Sequence, residues 1–317
     1  MGRSRGQVIL VAALGIAVTL VALALITNTA IYTENLATRD TVNGQTAVAF
    51  QQSVESGASG LLALANRYNA TDHSTIQSQF DSDVAALRNG TESSSARYGD
   101  LESVSVVNAT NGSRIAQNAS RNFTDASGAE NWTLATDVEQ TRRFQMNVST
   151  SELSATDPFT VTVSNGSAQW TAEIAQDDAD TANVTVDDGD NTTSCTVDTS
   201  DTGSVVVDLT EGTAGGDDCD TPLFASSVSG QYDISFDNST NVTGRYVLFV
   251  DRTPDAIEAD LADDPYVAPA DDGPTLQPAL YDATLHVSVR QPELRYETNV
   301  TVAPTKSPEG EVYGVVP

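Results

Sequence analysis

The sequence predicts an α+β chain, with a long N-terminal transmembrane and stalk helix followed by an antiparallel, sandwich-like β-rich head. Three features carry this. Val8–Ile26 is nineteen residues without a charge, and as a helix it would cover roughly the 30 Å of a bilayer's hydrocarbon core. Glu34 to Tyr68 contains no proline and places apolar residues three and four apart, the helical period. From Val104 to Val302 the apolar residues instead alternate with polar ones, the period of half-buried strands. The chain then divides into a leader over 1–7, a membrane span and exit over 8–33, a stalk and second helix over 34–90, a head over 98–303 and a tail over 304–317.

Arg3 and Arg5 precede the span and the first charge after it is Glu34. The positive-inside rule therefore puts the N-terminus in the cytoplasm and the head outside, with Val8–Ile26 as the contact with the lipid bilayer. The exit, Ile26 to Tyr32, is a poor match to a signal-peptidase site, so the span reads as a retained anchor. The net charge is −29, with 15 Lys+Arg against 44 Asp+Glu and Lys306 as the sole lysine. Such an excess repels nucleic acid and excludes that partner. Aspartate-rich, lysine-poor surfaces stay soluble where salt screens their self-repulsion, so a halophilic archaeal source is expected.

Sequons Asn-x-Ser/Thr fall at Asn69, Asn89, Asn108, Asn111, Asn118, Asn122, Asn131, Asn147, Asn165, Asn183, Asn191, Asn238, Asn241 and Asn299. None lies in or before the span, which agrees with an outward head, and all are glycosylation candidates. Cys195 and Cys219 are both beyond the membrane, where an oxidising exterior lets them pair as a staple on an irregular insertion. Two free thiols or a metal pair is the alternative, without a CxxC spacing or a nearby histidine to favour it.

In the stalk, Val42, Thr46, Phe50, Val54, Gly57, Leu61, Leu64 and Tyr68 form the expected core-facing stripe, and Gly57 and Gly60 suggest a kink near Ser56–Gly60. A second helix over 72–89 is marked by a Ser74/Gln77 capping box and an Asn89-Gly90 stop. His73, at its start, reads as a solvent-exposed first-turn residue. About ten strands follow, at Val104/Val106, Phe144–Val148, Phe159–Val163, Trp170–Ile174, Val184/Val186, Val205–Leu209, Tyr232–Phe236, Tyr246–Val250, Leu285–Val289 and Tyr296–Val302. Asn165-Gly166 marks a hairpin between the third and fourth. Asp177–Ala182 and Thr210–Thr221 read as exposed loops. Asp251–Pro278, with five prolines, cannot be a regular central element, although Asp255–Ala262 fits a short helix.

No Ser/His/Asp set, phosphate loop or Cys/His cluster is present. The sequence therefore predicts no catalytic residue, no cofactor and no metal centre. The one run with cation-ligand chemistry, Asp187-Asp188-Gly189-Asp190-Asn191 with Asp177, Asp178 and Asp180 upstream, lacks the glutamate of an EF-hand loop and reads as a solvated acidic turn. Trp132 and Trp170 are the residues a sugar platform would use, but Trp170 alternates with Ala172 and Ile174 and reads as core, and Trp132 sits within a sequon, so neither is taken as one.

Arg5-Gly6-Gln7 followed at once by the apolar run resembles the class III signal peptides of archaellins and type IV pilin-like proteins, and the chain resembles a haloarchaeal member of that group. The resemblance implies cleavage between Gly6 and Gln7 by a prepilin-type peptidase, then packing of the apolar helix among like subunits. Val11 stands where many bacterial type IV pilins carry glutamate, a residue archaellins generally lack. A minor or accessory subunit is the expectation. A non-polymerising surface module that binds a glycan, solute or envelope partner is the alternative.

Overall fold

The computed structural model describes residues 44–67, 71–96 and 100–304, apart from 262, 270 and 293. Val8–Ile26, its continuation to residue 43 and the tail from 305 lie outside the described residues. What is described is mostly strand, in two sheets, with three short helices. No helix among the described residues is long and apolar enough to cross a membrane. The α+β expectation with a long N-terminal stalk helix is therefore corrected to a predominantly β architecture among the described residues; the helices lie against a sheet, as the core-facing stripe had implied.

The larger sheet has eight strands, in the spatial order β10 (Asp217–Asp218), β9 (Thr213–Ala214), β8 (Ser204–Asp208), β3 (Thr141–Ser149), β12 (Thr243–Val250), β1 (Leu101–Asn122), β13 (Pro274–Gln291) and β14 (Leu294–Val302). The smaller has six, in the order β2 (Trp132–Val138), β11 (Tyr232–Asp237), β4 (Phe159–Ser164), β5 (Gln169–Asp178), β6 (Thr181–Asp187) and β7 (Thr192–Asp198). Neighbouring strands are antiparallel throughout. The two sheets close on a core rich in rings. Phe123 meets Tyr246 edge-on at 5.0 Å, and Phe236 meets Phe159 at 5.0 Å. Such edge-to-face pairs add to simple area burial.

A second core holds the helices. α1 (residues 44–65) and α2 (His73–Ser95) pack on β13, β14 and the first half of β1, through Phe50, Val54, Leu62, Ile76, Phe80 and Val84 against Val104, Leu285, Val287 and Val300. Leu276 packs into the sandwich core and Leu280 into the helical one. They are four residues apart on β13 and so share a face. One face of the large sheet is thus covered by the small sheet at one end and by the helices at the other.

The stripe of α1 differs from expectation by about one residue. Ala47, Phe50, Val54, Ala58, Leu62 and Ala65 are buried, while Leu61 is half-buried and Leu64 is 41% exposed. Ala47, Ala58 and Ala65 let the helix lie close to the sheet, Leu62 packs with them, and Leu61 and Leu64 take the flanks. The helix continues through Gly57 and Gly60 without a break. In α2 the cap is Asp72 instead of Ser74, its Oδ1 accepting from Thr75 N at 2.9 Å. The helix runs past Asn89-Gly90 to Ser95; a glycine inside a helix costs only about 1 kcal/mol against alanine, so it need not end one.

All ten strand signals fall on strands, except that Leu209 lies one residue past the end of β8, and β4–β5 is the hairpin that Asn165-Gly166 marks, with Gly166 at φ +78. The expected loops at 177–182 and 210–221 instead contribute to β5, β6, β9 and β10. Pro274 and Pro278 lie within β13, against expectation. β14 pairs only with Ala283–Gln291, so the prolines sit where that side of β13 carries no strand among the described residues. A missing N–H costs nothing there. The short helix is α3 (Pro254–Asp260).

Candidate functional site

At one mouth of the sandwich, the turn between β2 and β3, the segment 210–230 and β13 enclose an open groove of about 490 Å³. Tyr281 is buried at its base, because a bulge between the β1 and β13 registers turns this residue out of the regular alternation. The Arg142 guanidinium lies 4.7 Å from the Tyr281 ring centroid and pairs with Asp282 at 2.9 Å. The Tyr281 hydroxyl donates to Gln140 Oε1 at 3.4 Å, and Tyr232 shares a hydrogen bond with Thr141 at 3.0 Å. Burial raises the Tyr281 and Tyr232 hydroxyls above the usual phenol range, so both stay neutral at any ordinary pH. Neutral hydroxyls, an amide and a ring-stacked cation, with Glu139 and Glu211 at the rim, suit the binding of a polar ligand. A second groove, of about 400 Å³, runs between α2 and the first half of β1.

The mouth groove has no signature motif in the sequence. Its residues come from four separate segments with no shared spacing, and the one available signal was the adjacent pair Arg142-Arg143 in a chain so poor in cations. Trp132 and Trp170 are not platforms. Both are buried, and Trp132 Nε1 donates to Phe123 O at 2.8 Å. His73 is half-buried, and its Nε2 donates to Gly112 O at 2.8 Å.

The acidic run forms the β6–β7 turn. Asp187 accepts from Gly189 N and the Thr192 hydroxyl, both at 2.7 Å, while Asp188 accepts from Asn191 N at 2.7 Å and Asp190 N at 3.0 Å. These hydrogen bonds hold both carboxyls below the usual carboxylate range. Asp178 ends β5 and Asp180 lies in the β5–β6 turn, at the other end of β6. Among the described residues, no three His, Cys, Asp or Glu are placed together to hold a metal ion.

Cys195 and Cys219 are bonded, with Cα atoms 5.8 Å apart. The bridge is more than a staple on a loop. Cys195 is on β7, the outer strand of the small sheet, and Cys219 follows β10, the outer strand of the large one. It joins the two sheets along one side.

Gly6, Gln7 and Asn69 lie outside the described residues. None of the other sequon asparagines is buried: Asn89, Asn108, Asn111, Asn131, Asn191 and Asn299 are exposed, while Asn118, Asn122, Asn147, Asn165, Asn183, Asn238 and Asn241 are half-buried. In four of them the amide Nδ2 donates to a backbone carbonyl, from Asn122 to Thr240, Asn165 to Ser229, Asn238 to Pro158 and Asn241 to Asp157.

No curated protein and no solved structure matches the chain. One family model, described as a family of unknown function (DUF7261), matches residues 2–163, just over half of the 317. The matched part ends within β4, whereas the partners of β1, β12 and β13, lie beyond it.

Proposed function

The chain belongs to the DUF7261 family, and from that premise we propose that it is an outward-facing surface protein of a halophilic archaeon, held in the membrane by the apolar segment Val8–Ile26. It is a pilin-like minor or accessory subunit, processed between Gly6 and Gln7, whose apolar segment afterwards packs among like subunits. The observation that carries the outward placement is the Cys195–Cys219 bond. A bridge of this kind persists in oxidising surroundings, and it ties the sheets of the head that follows the apolar segment. Support for the pilin-like part comes from α1, whose inner face is bedded on the large sheet a short way downstream of that segment. Mass spectrometry of the native N-terminus tests it. A chain beginning at Gln7 is expected, and an intact Met1 or Gly2 overturns the pilin-like assignment.

A second reading, a non-polymerising module that binds a glycan, solute or envelope partner, is favoured by the mouth groove with Arg142 stacked on Tyr281. Microscopy of cells with and without the protein separates the two. Filaments lost on deletion belong to the subunit reading. Unchanged filaments, together with saturable ligand binding that Arg142→Ala abolishes, belong to the module.

A further inference from the structure

β1 is longer than its neighbour. β12 pairs with it only from Ser113 onward, so Leu101–Gly112 carries β13 on one side and, among the described residues, no strand on the other. Glu92 of α2 accepts from the Ser103 hydroxyl at 2.9 Å at the near end of this edge, and His73 takes the Gly112 carbonyl at the far end. Between these two contacts Val104–Asn111 pairs with no strand on this side among the described residues, and Val104–Asn108 lines the groove beside α2.

Open strand edges are templates for pairing with another chain, and proteins usually blunt them with charge or proline. Val104-Ser-Val-Val-Asn-Ala-Thr-Asn111 has neither. The register shift between Val106 and Asn108 leaves Val107 without a β13 partner and 56% exposed. The next residue is Asn108, exposed, with no side-chain hydrogen bond among the described residues, and followed by Ala109-Thr110. Asn111, three residues on, is exposed too, but the hydroxyl of its sequon, on Ser113, is buried and donates to Arg252 O at 2.6 Å.

We propose that Asn108 is an N-glycosylation site whose saccharide shields the open edge of β1 from pairing with a second copy of the chain. The Asn108 amide nitrogen forms a bond to the anomeric carbon of a saccharide carried as a phosphate ester. The anomeric C–O bond to phosphate breaks, the departing phosphate takes the amide proton, and nothing is oxidised or reduced. A hydrated saccharide at this point stands over the groove and excludes an incoming strand. In Asn122, Asn165, Asn238 and Asn241 the corresponding nitrogen is packed against a backbone carbonyl, so the folded chain offers Asn108 in preference to these four.

The proposal rests on the outward-facing reading, so protease shaving of intact cells accompanies the test; failure to release head peptides overturns that reading and this one together. Glycopeptide mass spectrometry of the native protein should find a saccharide on Asn108. Asn108→Gln and Thr110→Ala, made in the native host and checked for folding by circular dichroism, should self-associate at concentrations at least tenfold below wild type in sedimentation velocity. A head that is shaved from cells but bears no saccharide at Asn108 overturns the site and leaves the outward placement standing. A modified Asn108 whose folded variants associate no more than wild type overturns the shielding role.

Discussion

Asn66, just past the end of α1, acts on the sheet as if it were a strand residue. Its Nδ2 donates to Leu280 O and its Oδ1 accepts from Leu280 N, both at 2.8 Å and both buried. It satisfies the backbone of β13 beside the bulge at Tyr281. Removing a partner from buried groups costs about 1–3 kcal/mol each. Asn66→Ala is therefore expected to lower unfolding stability by about 2 kcal/mol or more in a urea titration. Tyr246 is the reverse case. Its hydroxyl is fully buried and has no hydrogen-bond partner among the described residues, so Tyr246→Phe should raise stability by about 1 kcal/mol, read as a higher melting midpoint. Asp72 sets an acid response. The Ser74 hydroxyl, then the Thr75 amide and hydroxyl, hold its carboxyl down to about 2. A depressed folded value means the cap's contribution is complete above about pH 4 and is lost as pH falls through about 2. Asp72→Asn should flatten the wild-type decline in melting temperature across that window. The Asn66–Leu280 pair and the burial of Tyr246 are not legible in the sequence, because only the tertiary fold creates them, whereas the Asp72 cap is local, to residues two and three positions on.

At the level of elements, the alternating runs announced the strands that have one apolar face, and Asn165-Gly166 marked its hairpin. Four strands were missed, and β2 (Trp132–Val138) had an apolar signal in Trp132, Leu134 and Val138, all buried; the other three had physical reasons to be silent. β7, Thr192-Thr-Ser-Cys-Thr-Val-Asp198, is an outer strand whose residues are all exposed or half-buried, so it carries little apolar signal. β9 and β10 are two residues each. The helical stripe was misplaced because half of its inner face is alanine (Ala47, Ala58 and Ala65), which hydropathy periodicity weighs less than the leucines at 61 and 64 beside it. The disulfide was legible as a pair but not as a link between sheets, since sequence separation says nothing about which edges meet. Closing a loop with a separation of 24 residues stabilises by about 3 kcal/mol in the chain-entropy model. Cys195→Ser with Cys219→Ser should lose about that much in a denaturant titration. The loss should concentrate in β7, β9 and β10, read as faster amide exchange there than elsewhere.

Across the whole molecule, the sandwich core and the helical core share β1 and β13, and neither can be dismantled without disturbing those strands. Hydrogen exchange should therefore find the central amides of β1 and β13 protected to the same free energy as the sandwich, and thermal unfolding followed by near- and far-ultraviolet dichroism should give one coincident transition. Separate melting of α1 and α2 before the sheets would count against this coupling.

The long pairing of β1 with β13, from Leu101 opposite Arg290 to Gln117 opposite Pro274, also decides how the molecule answers to force. A pull on the start of β1, directed along the strand and away from the sandwich, strains its cross-strand bonds side by side in shear. Many must then yield at once. At β9 and β10 a pull across the ribbon would open two short pairs in succession, as a zipper opens, and there the covalent Cys195–Cys219 link takes the tension before they part.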